Sequence, residues 1–109
     1  MKIAILLPFK DTYTKDKAGS ASIWVKDFIK NSKYKKKITI YGHIKNLDKN
    51  KLINKHNYIN IDYNFDFYIG SKNKKYVQIF NNLIKKKSIG LIELHNRPNY
   101  IDHLDKKIK

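Results

Sequence analysis

Two short stretches gather the residue types best suited to chemistry. The first is His95-Asn96-Arg97-Pro98, directly behind an apolar run. Near neutral pH an imidazole donates or accepts a hydrogen bond, an Asn amide does both, and a guanidinium holds a phosphate or carboxylate with two parallel bonds. Together they suit an oxygen-rich ligand. The same residues also admit a local role, with His95 and Asn96 satisfying nearby backbone groups, Arg97 pairing with Glu93 or Asp102, and Pro98 opening the next helix. The second stretch is Gly19-Ser20, where a helix is expected to start. Free backbone N–H groups and the positive end of the helix dipole favour an anion there. The pair is neither a full GxGxxG nor a P-loop, so a Gly and Ser that only cap a helix remain an equal reading.

Other polar residues carry less. His43, His56 and His103 lack metal-ligand spacing, and without cysteine a zinc site would need an assembly of His and carboxylates, so no metal is expected. Asp62 and Asp66 form no catalytic pattern. The absence of cysteine also excludes a disulfide framework and gives no sign of an oxidising compartment, which reads as cytoplasmic.

The elements that must position these residues follow from hydrophobic patterning. Residues 2–7 are nearly continuous in apolar character and stop at Pro8, as a strand buried on both faces does. A helix is expected from about Ser20, with Ile23, Trp24, Phe28 and Ile29 near helical spacing and Val25 beside them. Residues 37–41 alternate β-branched and aromatic side chains and end at Gly42, a second strand. Residues 42–57 give no clear pattern, and 58–61 make a short third strand. Over 73–87, Tyr76, Val77, Ile79, Phe80, Leu83 and Ile84 fall on one helical stripe. Residues 88–94 are a last strand. Trp24, Phe28 and Phe80 read as core residues on helix faces.

This alternation predicts an α/β fold, Rossmann-like and doubly wound, with a mainly parallel sheet. Ligands of such sheets bind outside the carboxyl ends of the strands, where strand order reverses. The first and last strands should lie side by side at that reversal, bringing the loop from Pro8 to Ser20 near His95–Tyr100.

The chain has 109 residues, enough for one domain, with 41% hydrophobic and 30% charged residues, a globular balance. The formal charge of +15 raises the question of nucleic acid. All but one of the 24 basic residues are Lys, however, and they are spread along the whole chain. Phosphate and base recognition favours the guanidinium fork, so a solvated Lys surface is expected rather than a nucleic-acid face. The opening apolar run is far shorter than the roughly 20 residues that span a bilayer.

The opening KIAILLPF, the KAGSAS loop with its helix, and LIELHNRPNYIDHL resemble the amino-terminal domain of family 4 glycosyltransferases, which have two Rossmann-like domains facing a cleft (GT-B type). The resemblance implies that residues 1–109 form a single, incomplete amino-terminal domain without the carboxyl-terminal nucleotide-sugar domain. It implies metal-independent, retaining transfer of a sugar from a nucleotide-sugar donor to a glycan or lipid-linked acceptor, with no cofactor. His95 matches a histidine that reaches the transferred sugar, Gly19 and Ser20 match the loop near the donor phosphates, and Asn96 and Arg97 sit beside them. Ala18 departs from the family's usual Gly-Gly form. The isolated chain is expected to be inactive, and its basic surface would suit peripheral contact with an anionic membrane from the cytoplasmic side. The competing expectation is a standalone α/β module that holds a phosphorylated or anionic ligand at Ser20 and Arg97 without transferase chemistry.

Overall fold

A computed structural model describes residues 2–32, 35–53, 57–85, 87 and 89–94. Its elements are β1 (Lys2–Leu6), α1 (Ser20–Asn31), β2 (Ile38–Gly42), β3 (Tyr58–Asn60), α2 (Lys72–Ile84) and β4 (Ile89–Leu94). The strands form one sheet in the order β3-β2-β1-β4, and each neighbouring pair is parallel. As the alternation predicts, β1 and β4 are neighbours, paired from Lys2 opposite Ile89 to Leu6 opposite Leu94, with a register shift after Lys2.

Because side chains alternate across a strand, the unbroken apolar run of β1 feeds both faces of the sheet. Ile3, Ile5 and Leu7 join Ile38 and Ile40 of β2 on one face, where Ala21, Val25 and Ile29 of α1 cover them. Ala4 and Leu6 join Tyr41 on the other, beneath Tyr76, Val77, Phe80 and Ile84 of α2. Full burial of each such Val, Leu or Ile side chain contributes about 1.5–3 kcal/mol relative to exposure. The Tyr76 hydroxyl also donates to the Leu7 carbonyl at 2.7 Å, tying α2 to the chain as it leaves β1. Among the described residues no helix is long and apolar enough to cross a membrane.

The α1 face differs from expectation. Trp24 and Phe28 are not core residues: they are 48% and 37% exposed and stack on each other with ring centroids 5.1 Å apart. The buried positions 21, 25 and 29 repeat every four residues, and a one-residue step turns the side chain by about 100°, which puts Trp24 and Phe28 on a flanking stripe. Phe80 is buried as expected. The stripe of α2 is narrower than the sequence suggests, with Leu83 outside it and Asn81 inside, only 7% exposed.

The described part of the region without a clear pattern, residues 43–53, is a loop tied to its surroundings at several points. Asp48 accepts from Asn50 N and caps a short 3-10 turn, Lys49–Lys51, and Leu52 then bridges to Thr14. Before α2 the chain turns at Gly70, whose φ of 130° suits glycine alone.

Candidate functional site

The described loops at the carboxyl ends of β1 and β2 are both fixed, and the residues that fix them are mostly ones the sequence did not mark. In the loop after β1 the key residue is Asp11. One carboxylate oxygen accepts from Gly19 N at 3.0 Å and from the Ser22 hydroxyl at 2.5 Å, and the other accepts from Ala21 N at 3.1 Å and Ser22 N at 3.3 Å. The free donors of the first turn of α1 are therefore engaged by an anion of the chain itself. Ser20 is not the cap. It is the first helical residue and exposed, whereas Gly19 occupies the cap position with no side-chain bond of its own. Glycine is needed there for approach, not for φ, which is −81°. A Cβ on Gly19 would stand 2.8 Å from both Asp11 oxygens.

The far side of the same loop is stitched to the chain beyond β2. Besides the Thr14–Leu52 bridge, Lys15 N donates to Lys51 O at 2.9 Å and Ile53 N to Tyr13 O at 3.3 Å. Tyr13 is buried and stacks on Tyr58 with centroids 5.6 Å apart. Burial pushes the Tyr13 phenol up to about 12, and it pushes Tyr58 higher still, with the Asp62 charge adding to the effect.

The loop after β2 hangs on Asn60, the last residue of β3. Its amide accepts from Ile44 N at 2.8 Å and donates to Ile44 O at 3.2 Å, so one side chain serves both backbone groups of a residue on the neighbouring loop. Tyr58 OH donates to the same amide oxygen at 2.9 Å. His43 is held as firmly. Its Nδ1 lies 2.9 Å from Ile61 O, and because a carbonyl only accepts, Nδ1 carries the proton; in the neutral ring Nε2 is then the acceptor. The ring stacks on Phe9 at 5.4 Å and meets the edge of Phe65 at 4.6 Å. Lys45 pairs with Asp66, holding that carboxyl below its usual range mainly through their hydrogen bond.

Between these loops lies a cleft of about 390 Å³, lined from the β1 side by Phe9, Lys10, Thr14 and Lys17 and from the β2 side by His43, Lys45 and Lys51. A second cavity of about 250 Å³ shares residues 43–46 and reaches Asp62 and Asp66. Asp16 and Asp48 line the larger cleft together with its four lysines. Thr14, 5% exposed, stands in its wall, and Thr14 Oγ1 has no hydrogen-bond partner among the described residues. No group of three His, Asp or Glu that could hold a metal occurs among the described residues.

The sequence-derived site residues divide accordingly. Gly19 and Ser20 lie at the start of α1 beside Asp11, while His95, Asn96 and Arg97 fall outside the described residues, as do Pro98 and His103. His43 was set aside for want of a metal partner, yet its place immediately after β2 was a readable sign of a carboxyl-end position. Asp11 and Asn60 gave no such sign, since the bonds by which they fix the loops join residues 8 to 16 positions apart. Compared with known families, with curated proteins and with solved structures, the chain finds no match.

Proposed function

We propose that this chain is the acceptor-side, Rossmann-like half of a GT-B-type glycosyltransferase, which transfers a sugar from a nucleotide-sugar donor to a glycan or lipid-linked acceptor. The observation that supports it most is topological: a parallel β3-β2-β1-β4 sheet with α1 and α2 on opposite faces, and fixed loops at the carboxyl ends that leave a cleft between them. Doubly wound sheets bind ligands at that edge. In this reading His95 reaches the transferred sugar, Asn96 and Arg97 lie beside it, and the second half of the enzyme supplies most of the grip on the nucleotide. Gly19 and Ser20 would contact the donor only at the outer rim, because Asp11 already engages the amides of Gly19, Ala21 and Ser22.

The cleft, lined by Lys10, Lys17, Lys45 and Lys51, favours a second reading, an α/β module that binds an anionic ligand without transferring a sugar. Calorimetric titration with uridine diphosphate and a uridine diphosphate sugar separates the two. Saturable binding abolished by His95→Ala and Arg97→Ala supports the transferase half. Binding abolished by Arg97→Ala but kept by His95→Ala supports the module, and no binding at millimolar ligand contradicts both.

A further inference from the structure

We propose that the cleft of about 390 Å³ between the loops after β1 and β2 is a binding site for a hydroxyl-bearing phosphate ester, of which a sugar phosphate is the simplest example. The inference does not depend on the transferase reading, since it uses neither His95 nor Arg97.

Its size falls in the range of about 300–1,000 Å³ usual for small-molecule sites. Its charge is asymmetric. Lys10, Lys17, Lys45 and Lys51 line it from two separate loops, against Asp16 and Asp48. Lys45 is drawn toward Asp66, whereas the ammonium groups of Lys10, Lys17 and Lys51 have no partner among the described residues. An ammonium on a flexible stem binds phosphate as a point charge and can swing to meet it, while the stem lies along the cleft wall.

The two carboxylates point to the rest of the ligand. Beside Asp16 and Asp48 a bare anion gains less from the lysines, whereas a ligand hydroxyl can donate to a carboxylate. Phosphate among the lysines and hydroxyls toward the carboxylates therefore satisfy both sets of charges. His43 lines the same wall, its ring fixed by Phe9 and by Ile61 O, so any proton exchange with the ligand falls to Nε2.

Both walls are built in advance. Asp11 anchors one loop on α1, Asn60 anchors the other through Ile44, and the Thr14–Leu52 bridge joins the β1 loop to the chain beyond β2. Little order has to be imposed on the backbone of the two walls when a ligand arrives, which lowers that part of the entropic cost of binding.

The test is titration of the full chain with ribose 5-phosphate, inorganic phosphate and free ribose, monitored by calorimetry. Three proteins are compared: the unaltered chain, Lys10→Ala/Lys51→Ala, and Lys30→Ala/Lys74→Ala, which loses the same charge on α1 and α2. Circular dichroism and thermal melting verify that each is folded. The expected result is saturable binding of ribose 5-phosphate, tighter than either inorganic phosphate or ribose. It should weaken about tenfold or more in Lys10→Ala/Lys51→Ala and less than about twofold in the charge-matched protein. Equal weakening in both variants would assign the affinity to diffuse surface charge and overturn the site. Inorganic phosphate binding as tightly as the ester would overturn the role of the carboxylates, and no saturation at millimolar ester would overturn the proposal as a whole.

Discussion

The two helices begin in different ways. α2 is capped locally, by Ser71 Oγ accepting from Lys74 N three residues on at 3.2 Å. α1 is capped from a distance, by a carboxylate that arrives from the strand-to-helix loop and takes four donors. Neither helix has an acidic residue in its own first turn. A local cap stabilises only the helix that carries it. A distant one also fastens the segment it comes from, and here that segment forms one wall of the cleft.

Substitutions at the two caps should therefore differ in reach as well as size. Asp11→Ala is expected to have the largest effect, a loss of about 2–3 kcal/mol of stability, because a cap and several charge-assisted bonds vanish together. Urea denaturation measures it. Gly19→Ala should follow at about 1–2 kcal/mol, since the new methyl has to push the Asp11 carboxylate off the amides it serves. Ser71→Ala should cost about 1 kcal/mol and leave ligand binding in the cleft unchanged. An Asp11 variant no less stable than the Ser71 variant would remove the distinction.

The smallest effect at neutral pH is that of Tyr13→Phe, which keeps the stack on Tyr58 and should leave the melting temperature unchanged. The difference emerges in alkali. Tyr13 has a folded value of about 12 against an unfolded value of about 10, so its neutral form contributes stability that is complete below pH about 10. That contribution is lost as pH rises through the folded value. The unaltered protein should lose stability between about pH 10 and 12, and Tyr13→Phe should flatten part of that fall when the melting temperature is followed against pH.

The sheet was readable because β1 is apolar on both faces and β2 alternates, patterns that depend only on neighbouring residues. The starts of α1 and α2 followed from the same local logic, and the pairing of β1 with β4 from the strand order usual in doubly wound sheets. What escaped were contacts across the chain. Trp24 and Phe28 look like core residues in a helical window, and only the packing of Val25 and Ile29 on the sheet decides that the stripe lies elsewhere. Gly19 suggested a ligand loop for a sound reason, the absence of Cβ, yet the group that uses the space is Asp11. His43 had a position suited to a site but no motif around it, and Asn60 gave no hint that one amide would hold both backbone groups of Ile44.

The most direct test of the central claim, that α1 is capped by the chain's own carboxylate, is amide hydrogen exchange resolved by NMR in the unaltered protein and in Asp11→Ala. The amides of Gly19, Ala21 and Ser22 are expected to lose protection in the variant while Lys74 in α2 keeps its own. Unchanged protection at Ala21 and Ser22 would contradict it.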